Sequence, residues 1–321
     1  MTEKPLHWGI LGTGGIAGAF AEDLKLTDSG VVTAVGSRTA ESADRFAGRL
    51  GIPTGHGSYE ALVNDPDVDI VYVATPHPLH HANARLALEA GKPVLVEKPF
   101  TMNAEEARDL VALARERGLF LMEAMWTRFL PHIRHVRELL PRLGNVVTVT
   151  ADHGQWFAED AAFRLFAPEL GGGALLDLGI YPVSFASMVL GAPDRVAAMA
   201  TPAFTGVDAQ MSMLFGYPGG AQALLGCTLS AVSPTTASIV GTDARIEIEG
   251  PFYAPASFTL IPREGERARF EYVDEGLGLR HEADEVARLL AAGETESALM
   301  PLDETVSIMV TMDEVLAATR T

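Results

Sequence analysis

The hydrophobic pattern changes character once along the chain. Over the first 120 residues, short β-branched runs alternate with stretches in which apolar side chains recur every three or four positions. Leu6–Leu11, Val31–Ser37, Ile70–Ala74, Val94–Glu97 and Leu119–Met122 predict strands. Ile16–Leu26, Ala40–Leu50, Tyr59–Val63, Leu79–Ala90 and Ala104–Arg117 predict the helices between them. Strands alternating with helices imply βαβ units around a parallel sheet. The punctuation agrees: Ser37 or Thr39 can cap the second helix, and Gly91 and Gly118 can close two helices as left-handed C′ residues. After Met125, a helix at Pro131–Leu140 is followed by alternating runs at Val146–His153, Val196–Pro202, Gln210–Tyr217, Ala221–Leu229, Ala237–Ile239, Ala244–Glu249 and Ser257–Ile261. Tyr217-Pro218-Gly219-Gly220 has hairpin chemistry. Helices are expected at Gly179–Val189, Arg280–Ala292 and Asp303–Thr319. The fold class is α/β: a doubly wound parallel-sheet domain over residues 1–123, then an α+β domain over 124–321 built on a large, mostly antiparallel sheet.

Composition narrows the function. The 321 residues carry 24 Lys+Arg against 42 Asp+Glu, a net charge of −18. Such a surface repels phosphate backbones and anionic headgroups, and no basic patch offsets it. The partner is expected to be a small molecule, not nucleic acid or membrane. Cys227, the single cysteine, cannot form an intrachain disulfide and sits in the apolar run Leu224–Cys227, where a buried inert thiol is expected. The apolar stretch Trp8–Phe20, preceded by Lys4 and ending in Ala19-Phe20-Ala21, superficially resembles a signal peptide, but Gly12, Gly14, Gly15 and Gly18 interrupt it and Glu3 precedes it. No apolar run reads as long enough to span a bilayer. A cytoplasmic protein is expected.

The interrupting glycines have a better use. Gly12-Thr13-Gly14-Gly15-Ile16-Ala17 leaves the first strand and enters a helix, the context in which G-x-G-x-x-G/A cradles a dinucleotide pyrophosphate in a Rossmann domain. At the end of the second strand, where NAD sites usually carry a carboxylate, this chain has Gly36-Ser37-Arg38. A guanidinium and a hydroxyl suit a 2′-phosphate, so NADP is favoured, with NAD possible. Thr75, His77 and His80 follow the strand Ile70–Ala74 and can face cofactor or substrate at the carboxyl edge of the sheet. Neither that cluster nor His132, His135 and Glu138, spaced three apart, has a convincing metal-ligand set, and the latter reads as a hydrated helix face. Glu97-Lys98-Pro99 ends another strand and aims Lys98 into the same crevice. In Gly171-Gly172-Gly173-Ala174-Leu175-Leu176-Asp177-Leu178-Gly179-Ile180-Tyr181, Asp177 and Tyr181 share a helix face. Taken alone, Tyr181 is either a packed aromatic or a proton carrier.

Together these residues resemble the Gfo/Idh/MocA oxidoreductase family. Tyr181 four after Asp177, with Glu123-Ala124-Met125-Trp126-Thr127-Arg128-Phe129, is similar to one branch, the dimeric dihydrodiol dehydrogenases and NADP-dependent D-xylose 1-dehydrogenases. The resemblance implies NADP as hydride acceptor, Lys98 and Tyr181 as the catalytic pair with Asp177 beside them, His77 and His80 near the cofactor, and Trp126 and Asp177 at the substrate. With the residues read above, Gly12, Gly14, Gly15, Ile16, Ser37, Arg38, Thr75, Glu97 and Lys98 are expected around the cofactor, and His153 at the substrate. The resemblance also implies a chain that departs from the mammalian members. His153 stands where they carry an aromatic, which favours a hydroxyl-rich substrate, and Val147 and Pro202 stand at two arginines of their dimer contact. A homo-oligomer is still expected, because a large sheet with one open face exposes apolar surface. A non-catalytic dinucleotide-binding regulator and an NAD-dependent glycosidase are the alternatives on the same fold.

Overall fold

A computed structural model describes residues 4–319. Two compact units divide the chain, both discontinuous in sequence. The first comprises the residues through Phe129 together with Glu275–Thr305, and the second Leu130–Asp274 together with the residues from Val306 onward.

The first unit is built on β1 (Leu6–Leu11), β2 (Gly30–Gly36), β3 (Thr54–His56), β4 (Ile70–Val73), β5 (Val94–Glu97) and β6 (Leu121–Ala124). They form one parallel sheet in the order β3-β2-β1-β4-β5-β6. The order reverses between β1 and β4, and ligands of doubly wound sheets bind outside the carboxyl ends at that switch point. The connecting helices are α1 (Gly15–Asp23), α2 (Ala40–Leu50), α3 (Tyr59–Val63), α4 (His80–Glu89) and α5 (Ala104–Arg117). Thr39 caps α2 by accepting from the Ser42 amide, and Gly118 ends α5 at φ 62°. β3 is three half-buried residues, Thr-Gly-His, too short to leave a periodic signature.

The second unit opens with α6 (Pro131–Leu139) and carries β7 (Val146–Gly154), α7 (Ile180–Leu190), β8 (Arg195–Pro202), β9 (Asp208–Gly216), β10 (Gln222–Thr228), β11 (Ala237–Gly241), β12 (Ala244–Ile248), β13 (Phe258–Pro262) and β14 (Ala268–Phe270). The eight strands are ordered β14-β13-β12-β11-β7-β10-β9-β8. Every pairing is antiparallel except β7 with β10. Alternation along the strands buries Val149, Met211, Met213, Phe215, Leu225 and Ile246 on one face and leaves Met199, Leu214 and Leu224 exposed on the other. The Tyr217–Gly220 turn joins β9 to β10 as expected, with Gly219 and Gly220 at φ 88° and 93°. Two helices follow the sheet. α8 (Arg280–Ala291) lies within the segment that belongs to the first unit, and α9 is Leu302–Ala318. Asp23 at the end of α1 accepts the Leu277 and Leu279 amides at 2.9 and 2.6 Å, tying that returning segment down.

Two expectations need correction. His132 is no hydrated helix residue: it is fully buried, its Nε2 lies 3.3 Å from the Phe252 carbonyl oxygen, and burial pushes its pKa down to about 4. His135 packs on Phe258 and Phe270, with Nδ1 2.6 Å from the Tyr272 hydroxyl. The spacing put both on the apolar stripe of α6, which overrode their polarity. Further, the helical run 168–190 is long and apolar enough to cross a membrane by length and composition, although its glycines disguise this in the sequence. Most of it is buried in the protein, as befits a core helix.

Candidate active site

The first unit offers backbone. Gly12 leaves β1 at φ 113°, where a Cβ would come within 2.5 Å of the Ala74 carbonyl oxygen, so only glycine fits the turn. Beside Gly14 and Gly15 a Cβ would meet nothing within 4 Å. That open cradle lies at the N-terminus of α1, whose first turn carries no acidic residue and whose N-cap is Gly14. Amides and helix dipole there suit an anion, and Ile16 sits in that first turn. At the end of β2, Ser37 is buried and Arg38 is exposed, with no carboxylate ion-paired to it among the described residues. The donor set therefore fits a pyrophosphate flanked by a 2′-phosphate.

Beyond β4 and β5 the unit grips one short turn from three sides. Glu97 is buried and accepts the Tyr72 hydroxyl and, at 3.1 Å, the Lys98 amide. Glu123, on β6, accepts the Phe100 amide at 3.1 Å, and burial raises its pKa to about 7. His80 is fully buried, with Nδ1 2.8 Å from the Pro99 carbonyl oxygen and Nε2 2.8 Å from that of Thr75. A neutral imidazole donates to one of these only. Burial, foremost, presses the pKa of His80 down while both carbonyls pull the other way. His80 is thus committed to backbone, tying the Thr75 loop to the Lys98 turn. His77 packs edge-on against it at 5.6 Å, and the Thr75 hydroxyl accepts from Asn83. Lys98 itself is half-buried. Trp126 is buried in the turn Trp126–Phe129 of this same unit.

The second unit offers side chains. Tyr181 opens α7, directly after a π turn over Leu175–Gly179 that carries Asp177. Gly179 is needed there, because a Cβ would come within 2.9 Å of the Cys227 sulfur on β10. Cys227 is buried, as expected, and burial pushes its thiol pKa well up. Asp208 at the start of β9 accepts the Leu175 amide at 2.6 Å and so fixes the head of this helix; burial raises its pKa to about 6. His153 ends β7. Its ring stacks on Tyr253 at 4.3 Å and meets Tyr181 edge-on at 5.3 Å, while Tyr181 and Tyr253 lie 4.8 Å apart. Gln155 donates to the Tyr253 hydroxyl at 3.1 Å and its amide nitrogen lies 3.1 Å from His153 Nε2. His153, Tyr181 and Asp177 are therefore neighbours within one unit. Tyr253, Gln155 and Arg164, the ion-pair partner of Asp177, escaped the sequence reading. For Gln155 and Arg164 the single signal is length, since the loop between β7 and the π turn is about 20 residues long and such loops are usually functional; Tyr253, between β12 and β13, carried none. Among the described residues no cluster of three or more His, Cys, Asp or Glu is arranged to hold a metal.

Comparison with known proteins fits this division. The model described as an oxidoreductase family with an NAD-binding Rossmann fold matches residues 6–125, and the GFO/IDH/MocA C-terminal domain matches residues 133–247. Trans-1,2-dihydrobenzene-1,2-diol dehydrogenase of Bos taurus is 38% identical over 98% of this chain and 96% of its own length. That of Sus scrofa is 39% identical over the same shares. Among solved structures, the 3-ketoreductase KijD10 of Actinomadura kijaniata, in complex with NADP and TDP-benzene, superposes with a TM-score of 0.87 at 28% identity. Aldose–aldose oxidoreductase of Caulobacter crescentus, complexed with glycerol, gives 0.89 at 25% identity. Both cover 98% of each chain.

Proposed function

The chain belongs to the Gfo/Idh/MocA oxidoreductase family and its first unit is an NAD(P)-binding Rossmann domain, and from that premise we propose an NADP-dependent dehydrogenase acting on a hydroxyl of a sugar or cyclic polyol, an aldose such as D-xylose foremost. The observation that carries the cofactor choice is Arg38, exposed and without an ion-paired carboxylate among the described residues, beside Ser37 at the end of β2. The preference for a polyhydroxylated substrate rests on the polar group formed by His153, Gln155, Asp177 and Tyr253 around Tyr181.

When bound, NADP supplies a nicotinamide that accepts hydride. The chain's own part is the proton. As the substrate C–H electron pair departs as hydride and the C–O bond becomes a carbonyl, the hydroxyl proton passes to the Tyr181 oxygen. The Lys98 ammonium favours the tyrosinate that receives it. Glu97, Glu123 and His80 fix the turn from which Lys98 projects. Asp177 and His153 orient neighbouring hydroxyls, and Trp126 supplies an apolar wall. In the reverse direction Tyr181 is the acid.

The same proposal includes a cytoplasmic homo-oligomer. Met199, Leu214 and Leu224 form an exposed stripe flanked by the neutral Ser212 and Thr150. On a chain of net charge −18, this largely apolar face, with Asp152 the one charged residue among those lining it, is where two copies meet at least electrostatic cost. The function is tested with aldoses, polyols and cyclic diols, each assayed with NADP and NAD side by side. Reduced-nicotinamide absorbance is expected with an aldose and NADP. Release of free sugar from an added aryl glycoside without net NADPH would make it a glycosidase, and tight NADP binding with no turnover of any substrate would make it a regulator.

A further inference from the structure

Asp177 has only 6% of its side chain exposed, and Arg164 grips it through both terminal nitrogens, Nη1 to Oδ1 at 2.9 Å and Nη2 to Oδ2 at 3.1 Å. Arg164 lies on the long loop between β7 and the π turn, and its own side chain is 52% exposed. Most arginines on loops swing freely and contribute little. This one is anchored. The next three residues, Leu165, Phe166 and Ala167, are buried. The Leu165 carbonyl accepts the Gly173 amide at 2.9 Å and the Ala167 carbonyl accepts the Gly172 amide at 3.1 Å. A Cβ at Gly172 would press within 2.7 Å of the Leu165 oxygen. The loop is thus bonded to the glycines that lead into the π turn, so the two ends of the ion pair are held by adjoining backbone.

We propose that Arg164 is a positioning residue for the substrate half of the site: it fixes the plane of the Asp177 carboxylate one helical turn before Tyr181 and presents its own remaining donors to a polyhydroxylated substrate. The end-on fork occupies two of the five guanidinium N–H groups, and three remain on a half-exposed side chain. A fixed carboxylate beside a fixed fork reads a pair of adjacent hydroxyls, one as donor and one as acceptor, which a single flexible residue does not. A lysine at 164 would keep the charge but lose the fork. The inference rests on the dehydrogenase reading and gives its substrate class a recognising pair.

The test compares Arg164→Ala, Arg164→Lys and Asp177→Asn with the full-length wild type, measuring kcat and KM for the best aldose, NADPH affinity by fluorescence titration, and thermal unfolding. Arg164→Ala is expected to raise sugar KM by roughly 10- to 100-fold, the loss of one charge-assisted bidentate contact. Its cofactor affinity and Tm should stay near wild type, and Arg164→Lys should recover less than half of the loss. Because the side chain is half-exposed, millimolar guanidinium should restore part of the Arg164→Ala activity, where methylammonium and sodium at equal concentration do not. Wild-type sugar kinetics in Arg164→Ala, or a loss that follows unfolding and ignores guanidinium, would overturn the proposal. A wild type that turns over no sugar would instead defeat the dehydrogenase reading, a separate outcome of the same assay.

Discussion

The two units offer a ligand different kinds of group. In the first, the groups suited to a ligand are chiefly backbone: glycine-loop amides, a helix N-terminus, and a lysine turn clamped by Glu97, Glu123 and His80. In the second they are side chains drawn from distant segments, with His153 from β7, Tyr181 from α7, Tyr253 from the loop after β12 and Arg164 from the long loop. A backbone site demands a local motif and suits a ligand common to many enzymes. A side-chain site tolerates change at each position, which is where specificity diverges. The contrast also bears on how a chain of charge −18 could hold an anionic cofactor, since the first unit offers an anion glycine-loop amides and a helix N-terminus free of acidic residues in its first turn.

The comparison can be broken at several points. The largest effect is expected at the two proposed catalytic groups: Lys98→Ala or Tyr181→Phe should lower kcat by roughly 10²–10⁴-fold while NADPH still binds. Unchanged turnover in either would remove the catalytic pair. Next, Gly12→Ala forces an L side chain to φ 113° against the Ala74 carbonyl, at a cost of about 1–3 kcal/mol. Its signature in calorimetry and cofactor titration should be lower stability and weaker binding of NADP and NAD alike. Arg38→Ala, by contrast, should separate the two cofactors, raising the KM for NADP roughly 10- to 100-fold and leaving that for NAD nearly unchanged. Equal loss for both would assign Arg38 to something other than a 2′-phosphate.

The smallest effect concerns the scaffold of the side-chain half. Asp208 has its pKa raised by burial from 3.8 to about 6. A carboxyl that binds its proton more tightly when folded stabilises the fold most below pH 4, and that contribution is lost as pH rises through about 6, at most about 3 kcal/mol. Asp208→Asn, which cannot ionise, should flatten the dependence of Tm on pH across that window. An unaltered slope would place the titrating group elsewhere.

Much of the fold was legible because its signals are local. The βα alternation, the Thr39 cap, the Gly118 stop and the Tyr217–Gly220 hairpin each depend on neighbours in sequence, and β1, β5, α2, α3 and α5 have the expected bounds. What escaped notice is non-local. β3 and the three-residue β14 are strands only because a neighbour pairs with them. The return of 275–305 to the first unit depends on Asp23 accepting amides more than 250 residues away, and nothing near Asp23 announces it. At the site, the glycine loop, Lys98 and Tyr181 stood out through motif and spacing. Arg164 looked like any loop arginine, and Tyr253 like any aromatic beside Phe252, until the fold brought them to Asp177 and His153. His80 shows the converse: its place beside Thr75 was legible, but its commitment to two backbone carbonyls was not.

The central proposal is that this chain passes hydride from a sugar hydroxyl to NADP. An aldose carrying deuterium at C1, incubated with the protein and NADP, tests it most directly. The account predicts deuterium in the NADPH formed, with turnover sharply lowered by Tyr181→Phe; a protein that binds NADP but forms no labelled NADPH from any sugar or cyclic polyol would contradict it.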